Sequence, residues 1–158
     1  MSTLLDTVCA ALRLQKARHD VSKDGRQVVM PFQGKNGVWA CLIGISEAER
    51  MVLIYSQCPT RCPVPRRPEM SAFLHMANNG FARGAFELDL STGAIRFRVS
   101  IDARFHPLST EMVLEAVGYN VGLFDHGLRG ILAIIHGQRS AAEALALAEQ
   151  PPEHPPSA

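Results

Sequence analysis

The chain has 158 residues, 47% of them hydrophobic and 20% charged. That is one domain's length with enough apolar material for a core, which argues against a disordered chain. Sixteen Lys and Arg against 15 Asp and Glu leave a formal net charge of +1, which argues against a dedicated nucleic-acid binder or a polybasic membrane-surface protein.

Residues 3–17 read as an amphipathic helix. Leu5, Val8, Leu12 and Gln15 recur at helical spacing, and Leu4 and Ala11 widen the stripe. The basic residues Arg13, Lys16 and Arg18 follow this apolar stretch, the reverse of a secretory signal. No segment approaches the ~20 apolar residues of a membrane span. The expected compartment is the cytoplasm, where Cys9, Cys41, Cys58 and Cys62 stay reduced. Residues 20–25 form a polar break.

Residues 27–32 and 38–45 are two β-type runs. Between them Gly34, Lys35, Asn36 and Gly37 tolerate the positive φ of a tight hairpin. Residues 51–55 make a third run, so a meander of three antiparallel strands is expected. The second and third runs are apolar at almost every position. Such strands are covered on both faces, or covered on one and used for association on the other.

Residues 58–68 hold four prolines and mark a connection. Pro68 then opens a helix, with Glu69 near the positive end of its dipole. Met70, Phe73, Leu74 and Ala77 form its apolar face, and Asn78, Asn79 and Gly80 stop it. In the next hairpin Phe86, Leu88 and Leu90 alternate with Glu87 and Asp89. Ile95, Phe97, Val99 and Ile101 alternate with Arg96, Arg98 and Ser100. Setting Leu90 against Ile95 leaves residues 91–94 as the loop and opposes Asp89 to Arg96 and Glu87 to Arg98. One face of this hairpin is apolar and the other carries opposed charges.

Ser109 is a helix N-cap. In the stretch that follows, to about Gly137, Leu114, Val117, Val121, Phe124, Leu128, Ile131 and Ile135 form a heptad seam. Gly118, Gly122, Gly127 and Gly130 each weaken an isolated helix by about 1 kcal/mol and let another backbone come close. Asp125, His126 and Gly127 are where this stretch could divide into two helices. Ser140 and Glu143 form a capping box for a short Ala-rich helix. Prolines 151, 152, 155 and 156 make residues 149–158 a disordered tail behind a single domain of residues 1–148.

The element order α-βββ-α-ββ-α(α) predicts an α+β domain with a five-stranded, mainly antiparallel sheet and flanking helices. In this order the chain resembles the YbjN-like family, bacterial sensory-transduction regulators with a fold similar to type III secretion chaperones. The resemblance runs over residues 25–147. It is carried by Gly37-Val38-Trp39, by Cys62-Pro63-Val64-Pro65, by Phe73-Leu74 with Asn78-Asn79, and by residues 84–89 with 92–95. Phe124-Asp125, Ile134-Ile135-His136-Gly137 and residues 140–145 complete it. It implies a non-catalytic fold with no catalytic residues to carry over. The cysteine pair in the proline-rich link departs from it.

Cys58 and Cys62, with three residues between them and beside Arg61, are the candidates for a metal or redox centre. A structural zinc site needs four ligands, and no second Cys-x2-Cys or His-x3-5-His pair follows, so the expectation is two loop cysteines and no metal or cofactor. His19, His75, His106, His126, His136 and His154 make no metal-helix spacing. There is no Gly-x-Ser-x-Gly or Walker A loop, and the Gly34–Gly37 stretch lacks a helix N-terminus to receive a phosphate. Arg61, Arg66 and Arg67 could form an anion patch, but solvated loop charges explain them as well. Leu114, Val117, Gly118, Val121, Gly122, Phe124 and Leu128 are the candidates for a helix–helix dimer interface, although such a seam must also cover the chain's own sheet. The expected function is protein binding or regulation by a self-associating bacterial protein, most simply a homodimer, with an unidentified protein partner and neither nucleic acid nor membrane. The alternative is a small thiol- or metal-dependent sensor or enzyme centred on Cys58 and Cys62.

Overall fold

The computed structural model describes residues 2–150. Helix α1 (Leu4–Leu14) starts at Thr3, whose hydroxyl accepts from the Asp6 N–H while the Asp6 carboxylate accepts the Thr3 N–H. It stops short of the expected end because Lys16 turns the chain at a φ of 52°. Leu4, Val8, Ala11 and Leu12 are buried, as their spacing predicts.

The strands are β1 (Asp20–Val21), β2 (Gln27–Gln33), β3 (Val38–Ser46), β4 (Met51–Gln57), β5 (Ala85–Leu88) and β6 (Ile95–Asp102). They form one sheet in the order β1-β2-β3-β4-β6-β5, with every neighbour antiparallel. The sheet therefore has six strands, not five. The polar stretch at 20–25 is itself a hairpin, in which Asp20 and Val21 pair with Val29 and Val28. Its turn closes through the Ser22 hydroxyl, which donates to Asp24 and accepts the Gln27 N–H, and Gly25 sits at a φ of 68°. A two-residue strand is too short to show alternation.

The β5–β6 register is two residues from the expected one. Leu88 faces Ile95, and Glu87 faces Arg96. An even shift keeps every side chain on its expected face, but it changes the partners. Glu87 takes both arginines, with Nε of Arg96 and Nε of Arg98 each 2.6 Å from one of its oxygens. Asp89 instead builds the turn, accepting from the N–H and hydroxyl of Ser91. Leu90, expected on the apolar face, is 63% exposed. The longer connection wins because Asp89 and Gly93 satisfy its backbone, with Gly93 at a φ of 77° donating to the Asp89 carbonyl.

Helix α2 (Arg67–Asn78) follows a 3-10 turn (Val64–Arg66), and α3 (Thr110–Gly137) starts at the expected Ser109 cap. The 28 residues of α3 are one helix with no break at Asp125. The β2–β3 hairpin explains both this continuity and its own glycines. Gly34 and Gly37 have no positive φ, contrary to expectation. They are small because α3 passes beneath them: a Cβ on Gly37 would lie 2.8 Å from Leu128, and one on Gly34 would strike the Asp125 carboxylate. The backbone N–H groups of Lys35 and Asn36 donate to the two Asp125 oxygens at 3.1 and 2.9 Å. This loop, glycine-flanked like an anion binder, holds a carboxylate of its own chain. Helix α4 (Ala141–Glu149) carries the Ser140–Glu143 capping box. It extends one residue past the expected domain end at 148, and residues 151–158 of the expected tail lie outside the described residues.

The helices bury their apolar faces in one cluster against one face of the sheet. Val28 and Met30, Trp39 to Ile45 in alternation, Val52 and Ile54, and Ile95 to Ile101 in alternation supply that face. A chain of polar groups runs through this core. Trp39 Nε1 donates to Ser56, the Ser56 hydroxyl donates to Asn120, and the Asn120 amide donates to the carbonyls of Ile54 and Phe97 at 3.0 and 2.9 Å. Ser56 and Asn120 are fully buried.

Asn120→Ala leaves the Ser56 hydroxyl and two buried carbonyls short of partners. It is expected to lower stability by about 3 kcal/mol in urea unfolding followed by Trp39 fluorescence. Two glycines of α3 have opposite expected signs. A Cβ on Gly130 meets the Phe73 ring at 2.5 Å and the Ala144 carbonyl oxygen at 2.8 Å, so Gly130→Ala destabilises by about 1–3 kcal/mol. Gly122 has nothing within 4 Å, so Gly122→Ala stabilises by up to about 1 kcal/mol. Thermal melts of the two variants check the pair.

Candidate functional site: the outer face of the sheet

Alternation gives every strand a second set of side chains that points away from the helices. None of these is buried, whereas the opposite set forms the core. Val29, Leu42, Tyr55 and Arg98 line up across β2, β3, β4 and β6 in one row that begins at Asp20 and ends at Ala85. The row beside it holds Gln27, Gly44, Leu53 and Ser100. Val29, Leu42, Leu53 and Tyr55 are half-buried by their own neighbours and do not belong to the core cluster. They form an apolar centre with no helix of the described residues over it. Of the two arrangements open to the apolar strands β3 and β4, covered on both faces or on one, the second is observed.

Charge borders this centre on the β6 side. The guanidinium of Arg96 sits 4.6 Å from the centre of the Tyr55 ring. Burial alone would raise the Glu87 carboxyl, but the hydrogen bonds from Arg98 and Arg96 outweigh it and hold Glu87 below its ordinary range. Two arginines thus share one carboxylate. On the β1 side Asp20 is exposed and makes no ion pair among the described residues.

Each edge of the sheet carries an obstacle to a further strand. The Ser22 N–H donates to the Gln27 carbonyl, so Gln27, Val29 and Pro31 present their backbone to the outside of β2. Pro31, beyond the reach of β1, has no N–H to offer there. At the other edge the Asn78 amide pairs with both polar groups of Phe86, donating to its carbonyl and accepting its N–H at 2.7 Å. A side chain of α2 takes the position a neighbouring strand would use. The proline inside the first β-run was a sequence signal for one edge. Asn78 read only as a helix stop.

The α3 candidates divide. Val117, Val121, Phe124 and Leu128 are buried on the chain's own sheet, Leu114 is half-buried, and Gly118 and Gly122 lie on the surface with open space beyond them. Cys58 and Cys62 are 5% and 1% exposed. Burial raises both thiols, partly offset at Cys58 by a backbone N–H of Thr60 and at Cys62 by Arg67 and Arg66. Burial alone pushes Cys41 up to about 12. Among the described residues no group of three or more His, Cys, Asp or Glu is placed to hold a metal. Arg66 and Arg67 do not form a free anion patch. Arg66 donates to the carbonyls of Ile134 and Arg139, and Arg67 to those of Cys62, Leu90 and Ser91. Of the histidines, His75, His106, His126 and His136 are exposed, and His154 lies outside the described residues. No helix among the described residues is long and apolar enough to cross a membrane.

No family model and no curated protein matches the sequence. Solved structures do match the fold. The crystal structure of YbjN from E. coli, described there as a candidate transcription regulator, superposes with a TM-score of 0.66 at 13% identity, covering 86% of this chain and 97% of that one. A chain of the HopA1–SchA chaperone–effector complex superposes with a TM-score of 0.52 at 17% identity, covering 78% of this chain and 90% of that one. At these identities the likeness is one of architecture: the chain has the YbjN-like, chaperone-like α+β fold.

Proposed function

We propose that the chain is a non-catalytic protein-binding or regulatory module of the bacterial cytoplasm that docks protein on the outer face of its sheet and self-associates there. The observation that carries this reading is the uncovered apolar centre of Val29, Leu42, Leu53 and Tyr55 on a sheet whose other face is fully used. The two-residue β1, Pro31 and the Asn78 amide at the edges favour docking on the face over strand addition. The descriptions of the two similar structures, one a candidate regulator and the other a chaperone with its effector, support a binding role. The thiol alternative has less support, since a buried, undissociated thiol is a poor nucleophile and a poor metal ligand.

Leu42→Glu with Leu53→Glu places two charges on the outer face and leaves the core untouched. As affinity baits in a bacterial lysate, the wild-type chain and a Val64→Glu control in the proline-rich link are expected to retain a common set of proteins that the double variant loses. Identical sets from all three baits would refute docking on this face. Cys58 and Cys62 are expected to react with a thiol reagent at least ~100-fold more slowly in the native protein than in urea. Rapid native labelling of either one would revive the thiol reading.

A further inference from the structure

The outer face has a polarity along the row that crosses its centre. Asp20 stands at one end, Val29, Leu42 and Tyr55 in the middle, and Arg98 near the other end. Asp20 lacks an ion-pair partner among the described residues, and Arg96 with Arg98 carries one positive charge more than Glu87 neutralises. Four strand spacings of about 4.8 Å separate Asp20 from Arg98, so the two lie roughly 19 Å apart in one chain and cannot meet. Turned over onto a copy of itself, the same row meets its complement.

We infer that the first occupant of the outer face is a second copy of this chain, stacked sheet on sheet about a two-fold axis that runs along the strands between β3 and β4. This rests on the docking reading above and specifies its partner. The axis sets β3 over the partner copy's β4 and β2 over its β6, in the aligned packing that twisted sheets adopt at about 10 Å separation. Leu42 then covers Tyr55 of the other copy. Val29 lies under the aliphatic stem of Arg98 from the other copy, and that guanidinium reaches Asp20. The contact is isologous, so each ion pair occurs twice. The six strands hold 37 residues, and at about 3.3 by 4.8 Å each their face offers roughly 590 Å² per copy. That is below the ~800 Å² of standard interfaces, so the experiment is carried to high micromolar concentration.

Sedimentation equilibrium from ~1 to ~100 μM tests the inference. The wild-type chain is expected to approach twice its 17.3 kDa at the upper end, and Leu42→Glu with Leu53→Glu to stay monomeric with a cooperative thermal transition. Asp20→Arg, which brings like charges together twice per dimer, is expected to raise the dissociation constant about tenfold. Adding Arg98→Asp to Asp20→Arg restores most of that loss. At roughly 19 Å this rescue can only occur between copies.

A wild-type chain that remains monomeric at ~100 μM overturns the second copy as occupant and leaves the face open to another protein, which the lysate comparison reads separately. A double glutamate variant that still dimerises overturns the use of this face altogether. Charge variants that dimerise like wild type, beside a monomeric glutamate variant, overturn the two-fold arrangement and keep the face.

Discussion

The amide of Asn120 sets the position of the longest helix. It joins α3 to the carbonyls of Ile54 on β4 and Phe97 on β6, and through Ser56 to the Trp39 indole on β3. Apolar packing alone is non-directional and would tolerate a helix slid or rotated by part of a turn. A buried amide with several fixed partners does not tolerate it, because each displaced bond leaves a dry polar group. One turn and a half further along, Asp125 receives the tip of the β2–β3 hairpin. Two polar anchors on one helix thus fix both its lateral position and its rotation, and the glycines of the hairpin are dictated by where the helix lies.

With α3 so placed, the remaining helices have little choice. Gly130 admits the Phe73 ring of α2 and the backbone of α4. Arg66 reaches the carbonyls of Ile134 and Arg139 at the end of α3, and Glu69 accepts the first N–H of α4. All four helices are drawn into one layer. Among the described residues the opposite face of the sheet has no element to cover it, although its central strands present Leu42, Leu53 and Tyr55 there.

The elements were legible where periodicity was long or a cap was explicit. Ser109, Ser140 with Glu143, and the alternation of β6 each named a structure through a local rule that tertiary contacts did not override. The misses came from features whose cause lies elsewhere in the chain. Nothing around Asp20 and Val21 signals a strand, because its pairing is provided by Val28 and Val29. Gly34 and Gly37 look like turn residues, yet their smallness answers to a helix about 90 positions away, as the separation of Lys35 and Asp125 shows. The register of the second hairpin followed apolar matching, while the observed one follows the backbone needs of Asp89 and Gly93. The open outer face was legible as one of two alternatives in the apolar β3 and β4. Choosing between them required the helices to be counted onto one side.

Pro31 and the Asn78 amide have an effect on stoichiometry. A sheet with open edges can add strands from successive chains without limit, the growth mode of fibres. Here Pro31 and the Asn78 amide each block part of an edge, and the exposed apolar face looks out at right angles to that direction of growth. A face that is used once is used up. A partner docked there occupies the face and does not lengthen the sheet, so binding on it is distinct from the strand addition that builds fibres.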